Sequence, residues 1–122
     1  MKLLISHSNN YDFQKELYDP VRSSSLHKEH EVILPHEDDV NISTKEIIQG
    51  CDLIVAEVSY PSTGQGIELG WADVFKIPVV CMHKEKSRPS LSLGRIANDF
   101  LVYTDTKDMI VKLEQYILQK RR

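Results

Sequence analysis

Apolar and polar positions along the 122-residue chain alternate between two kinds of pattern. Continuous apolar runs with no helical period, at residues 2–5, 32–34, 52–58, 79–82 and 100–103, read as five short strands, most of them buried. Between them lie segments whose apolar residues recur three or four apart. Phe13, Leu17, Tyr18 and Val21 predict a helix from residue 11 to about 26, bent or interrupted near Pro20. Ser43-Thr44-Lys45-Glu46 is a capping-box pattern that opens a short helix through Ile47 and Ile48, ending near Gly50. Ile67, Leu69, Trp71, Ala72 and Phe75 predict a helix that follows the loop at 59–66 and stops at Pro78. Met109, Ile110, Leu113, Tyr116 and Ile117 mark the apolar face of a last helix beginning near Thr106.

Strands that alternate with helices pair in parallel through right-handed crossovers. The expected architecture is a three-layer α/β/α sandwich, flavodoxin-like or Rossmann-like, with a five-stranded parallel sheet in the order 2-1-3-4-5. In such sheets ligands bind beyond the carboxyl ends of the strands, at the switch point between the first and third. That rule selects Ser6, His7, Ser8, Asn9 and Asn10 after the first strand, residues 36–39 after the second, and residues 59–68 after the third.

Composition narrows the picture. The length suits one domain of about 100 to 200 residues, here taken as 1–122, so any site lies on that domain or is shared between copies of it. Fifteen Lys+Arg against 18 Asp+Glu give a formal charge of −3, which argues against a surface that coats a nucleic-acid polymer. Cys51 and Cys81 form neither a metal quartet nor a CxxC pair and read as reduced thiols of a cytoplasmic protein. The apolar start at 1–5 is too short for a signal peptide, and no later run approaches a membrane span. Neither His27-x-x-His30 with Glu31 nor His36-Glu37-Asp38-Asp39 has a recognised metal-ligand spacing, so no metal is expected.

The chemistry concentrates in Pro61-Ser62-Thr63-Gly64-Gln65-Gly66-Ile67-Glu68-Leu69-Gly70. Two hydroxyls, two glycines that allow close backbone approach, and a helix N-terminus with free N–H groups make an anion site. Glu68, expected in the first turn of that helix, has two readings: an acid that complements the helix dipole, or a nucleophile or electrostatic stabiliser facing the cleft. A dinucleotide fingerprint fits poorly, because the spacing is GxGxxxG and the run follows the third strand. Glu57, at the end of its strand, reads as an anchor for the loop through backbone N–H groups.

The run Asp52-Leu53-Ile54-Val55-Ala56-Glu57-Val58-Ser59, followed by PSxGxGxELG at 61–70, resembles the signature of the 2′-deoxynucleoside 5′-phosphate N-hydrolases and the related nucleoside 2-deoxyribosyltransferases. The resemblance implies that Glu68 attacks C1′ of the deoxyribose to form a glycosyl-enzyme, which water or a second base resolves, with no cofactor. It further implies that Ser62 and Gly64, with Gly66 beside them, contact the 5′-phosphate of a deoxynucleotide, that His36 lines the substrate site, and that Ser6, His7 and Ser8 occupy the phosphate loop. Ser92 matches a serine that reaches into the neighbouring subunit of a homodimer. Two positions depart from the pattern: Asn9 stands where the hydrolases carry an arginine, and Thr44 where they carry an aspartate, with Asp38 or Asp39 as candidate substitutes. The start, Leu3-Leu4-Ile5-Ser6-His7-Ser8, is also similar to the opening of TIR domains, which include NAD N-glycosidases with a helix-borne glutamate. A third reading is a non-catalytic nucleotide-binding module of the same fold.

Overall fold

A computed structural model describes residues 1–37 and 43–120 of the chain. Strands β1 (Lys2–His7), β2 (Glu31–Ile33), β3 (Leu53–Glu57), β4 (Val79–Lys84) and β5 (Asp99–Tyr103) form one sheet in the order β2-β1-β3-β4-β5. Every pairing is parallel. Fold class and strand order are those expected from the pattern of runs.

Side chains that alternate along the central strands build two cores. Leu3, Ile5, Val55, Val80 and Met82 pack on one face against a π-helical segment (Gln14–Tyr18), α1 (Asp19–Arg22), α2 (Ser25–Glu29) and α5 (Thr106–Lys120), through Leu17, Val21, Leu26, Met109, Leu113 and Ile117. Leu4, Ile54, Ala56, Val79 and Cys81 pack on the other face against α3 (Thr44–Gln49) and α4 (Thr63–Val74), through Ile47, Ile48, Leu69 and Ala72. A 3₁₀ turn (Leu91–Arg95) lies between β4 and β5. Burial pushes the Cys51 and Cys81 thiols up to about 11 and about 12, so both stay protonated and inert. Among the described residues no helix is long and apolar enough to cross a membrane.

β1 runs to His7, so Ser6 and His7 are strand residues rather than members of the loop expected after residue 5. Two helix boundaries also differ from expectation. The first helix changes from π to α winding beside Pro20, whose missing N–H removes a helical bond, but it breaks at Ser23 and Ser24. There the Ser24 hydroxyl donates to the Val21 carbonyl (2.6 Å) and accepts the Leu26 N–H (3.2 Å), ending one helix and capping the next. The second difference moves the key helix. α4 starts at Thr63, because the Ser62 hydroxyl accepts the Gln65 N–H and so serves as N-cap. Gly64 and Gly66 are therefore helical, and Glu68 lies in the second turn rather than the first. No acid occupies the first turn of α4, so Glu68 is not placed to complement the helix dipole.

Leu4 is fully buried at the centre of the sheet. Leu4→Ala is expected to cost about 2 to 5 kcal/mol, read as a lower urea midpoint with an unchanged slope.

Candidate active site

β1 ends at the switch point, with β2 on one side and β3 on the other. Its last two side chains leave on opposite faces. Ser6, 2% exposed, points to the α4 face, and its hydroxyl donates to Glu68 Oε1 at 3.1 Å. Glu68 is half-buried. Burial raises its carboxyl above the usual carboxylate range, and the Ser6 hydrogen bond works in the opposite direction.

His7 points to the other face. Its ring stacks on Phe13, with centroids 4.4 Å apart, and lies 5.3 Å from the ring of His36. Nδ1 lies 2.8 Å from the Ser8 carbonyl, which only accepts, so Nδ1 carries the proton. Nε2 is then the acceptor for the Tyr18 hydroxyl at 2.6 Å, and that hydroxyl's oxygen accepts the His36 backbone N–H at 3.2 Å. Burial holds His7 below the ordinary histidine value, the Ser8 bond opposes this, and His36 adds to the lowering.

The loop after β3 is anchored by Glu57, which is 1% exposed. Its carboxylate accepts the Ser59 N–H (2.7 Å), the Ser59 hydroxyl (2.8 Å) and the Tyr103 hydroxyl. Ser59 in turn accepts the Lys84 N–H at 2.8 Å, and the buried Gln65 amide donates to the Glu57 carbonyl at 2.9 Å. Three strand ends and the first turn of α4 are thus tied to one residue. The tie by backbone N–H follows from the position of Glu57 at its strand end. Gln65 and Tyr103 were not singled out, although a polar residue at a core position of a helix is the signal that finds the first.

The remaining candidates divide by location. Ser62 and Gly66 line a cleft of about 460 Å³ together with Ser92, Ser90, Leu93 and Ile96. Glu68 and Ser6 do not line it. Residues two apart on a helix project about 200° apart, so Gly66 and Glu68 take opposite flanks of α4. A Cβ at Gly64 or Gly66 meets nothing, which leaves the start of α4 open to close approach by a ligand. Ser8 is buried and accepts the Asn10 N–H at 3.0 Å, closing the turn after β1. Asn9 and the His36 side chain are exposed, and Thr44 is the first residue of α3. Asp38 and Asp39 lie outside the described residues, as do Arg121 and Arg122. No group of three or more His, Cys, Asp or Glu side chains among the described residues is arranged to hold a metal ion.

No protein-family model matches the chain. Similarity to curated proteins is confined to part of it. A 57-residue segment is 40% identical to the 5-hydroxymethyl-dUMP N-hydrolase of Rattus norvegicus, covering 47% of this chain and 32% of that protein. The enzyme of the same name from Branchiostoma floridae is 37% identical over 57 residues, 45% of this chain and 54% of its own length. A putative 2′-deoxynucleoside 5′-phosphate N-hydrolase 1 of Methanosarcina mazei is 49% identical over 37 residues, 30% of this chain and 23% of that protein. Over these segments the chain is similar to nucleotide N-hydrolases. The match spans about half or less of the length of these curated relatives. Among solved structures, the CMP N-glycosidase BcmB of Clostridium botulinum superposes with a TM-score of 0.71 at 23% identity, covering 95% of this chain and 99% of its own. That likeness establishes a shared fold.

The neutral His7 gives a pH signature. Its value in the fold lies below the 6.5 of an ordinary histidine, so as pH falls the unfolded chain takes up the proton first. Stability present above about pH 6.5 is expected to decline as pH falls below it, and His7→Gln is expected to flatten that decline. Urea midpoints of the two proteins between pH 8 and 5 provide the measurement.

Proposed function

We propose that the protein cleaves the N-glycosidic bond of a deoxynucleoside 5′-monophosphate or its nucleoside, with Glu68 as nucleophile. The observation that carries this reading is a half-buried carboxylate at the switch point, held by Ser6, one turn inside a helix whose start carries PSxG. The N-hydrolase names of the curated relatives support the reaction class.

Oxocarbenium character builds at C1′ as the base departs, and a carboxylate beneath it stabilises that charge or bonds to it. In the hydrolytic course, a Glu68 oxygen bonds to C1′ as the C1′–N bond breaks. The electron pair leaves with the base, which takes a proton from solvent. Water then attacks C1′, releases the sugar and restores the carboxylate; a second base in place of water gives transfer. Ser62, the free N–H groups of Thr63 and Gly64, and the open glycine surface are assigned to the phosphate. Ser8 and His7, whose polar atoms are engaged within the protein, shape the turn beside the sugar, and His36 is assigned to the base side of the pocket.

Ser92 lies on the flank of α4 away from Glu68 within one chain, so it reaches the reacting carboxylate only from a second copy. The exposed apolar residues Ile67, Val74 and Leu91, at 51%, 75% and 96% exposure, provide the contact surface for that homodimer.

Purified protein is to be incubated with deoxynucleosides, their monophosphates, CMP and NAD, and released base measured by chromatography. Release from a deoxynucleotide or deoxynucleoside is expected, falling by about a thousandfold or more in Glu68→Gln. Binding without turnover of any compound would favour the non-catalytic module, and release from NAD alone the TIR-like reading. Sedimentation at micromolar concentration is expected to show a dimer that Val74→Glu weakens; an active monomer would contradict the shared site.

A further inference from the structure

We infer that Ser6 is the positioning residue for Glu68. The inference rests on the reading of Glu68 as nucleophile, but its structural half stands on geometry. The Ser6 hydroxyl is buried at the end of the central strand, 2% exposed, and is directed by strand alternation to the α4 face. Its backbone is fixed by the Ser6–Ala56 register with β3, two residues beyond the point where the pairing of β1 with β2 ends at Leu4. The donor therefore has little freedom to move. It reaches Glu68 Oε1 at 3.1 Å, while Oε2 has no protein partner among the described residues. A carboxylate with one oxygen held presents its other oxygen to a reacting carbon.

The same bond controls charge. Glu68 is partly withdrawn from water, which favours its neutral form, and a neutral carboxylic acid is a poor nucleophile. A hydroxyl that donates to the carboxylate opposes this. Among the described residues, burial raises the Glu68 carboxyl and the Ser6 hydrogen bond lowers it, and no charged side chain acts beside them.

The test compares wild type with Ser6→Ala and Ser6→Thr, the second of which keeps a hydroxyl at the same place. Carbon-detected NMR of the side-chain carboxyl is expected to show the Glu68 titration midpoint moving to higher pH in Ser6→Ala and returning toward wild type in Ser6→Thr. With the substrate found by base release, kcat of Ser6→Ala is expected to fall about tenfold to a hundredfold with KM little changed. The acid limb of its pH profile is expected to move up with the NMR midpoint. Superimposable midpoints in wild type and Ser6→Ala, or no recovery in a folded Ser6→Thr, would overturn the inference. A midpoint that moves in a protein with no turnover on any compound would uphold the Ser6–Glu68 coupling and overturn the glycosidase reading instead.

Discussion

Strand alternation at the end of β1 is the constraint on which the site depends. Two consecutive residues on a strand cannot share a face, so a strand that ends Ser6-His7 must send one polar group to each side of the sheet. On one side the hydroxyl meets Glu68. On the other the imidazole is absorbed into a hydrogen-bonded cluster with Ser8 and Tyr18, stacked on Phe13. A slip of one residue in the β1–β3 register would exchange the two faces and leave a buried imidazole beside α4 and an unpartnered hydroxyl under α1. Apolar neighbours enforce the register, because Leu3 and Ile5 belong to one core and Leu4 to the other.

Local chemistry then turns a sheet edge into a cleft with distinct flanks. Glu57, buried at the end of β3, requires donors, and satisfying it draws in Ser59, Tyr103 and, through its carbonyl, Gln65. Those bonds tie the first turn of α4 to the strand ends, and the Ser62 cap sets where the helix begins and hence which way each of its side chains projects. The glycines leave the helix start open, the 3₁₀ turn flanks it on the side of Ser92, and Glu68 faces β1. The two flanks of one helix thus carry different surfaces, Gly66 with Ser92 beside it on one and the Glu68 carboxylate on the other.

The fold was legible because the relevant signals are local and redundant. Five apolar runs and the Ser43–Glu46 cap each fix a boundary, and alternation of strand and helix leaves few topologies. Glu68 was legible as a position, through PSxGxGxELG, but not as a geometry. Its turn depends on whether Ser62 or a later residue caps the helix, a competition among hydroxyls that periodicity does not resolve. The break at Ser23 and Ser24 was missed for the same reason, since Pro20 is the louder signal and the serine cap the stronger one. The Ser6–Glu68 and Tyr18–His7 bonds join residues 62 and 11 positions apart and follow only from packing. His7 illustrates the consequence: as a loop histidine it reads as a substrate contact, whereas in the fold both ring nitrogens are already engaged.

The central claim is that Glu68 bonds to the sugar. Acid quenching of the protein during turnover of a deoxynucleoside monophosphate, followed by peptide mass spectrometry, tests it most directly. A deoxyribosyl-phosphate adduct on the peptide carrying Glu68, absent in Glu68→Gln, is the predicted result. Base release that continues in Glu68→Gln, with no adduct at any residue, would contradict the account.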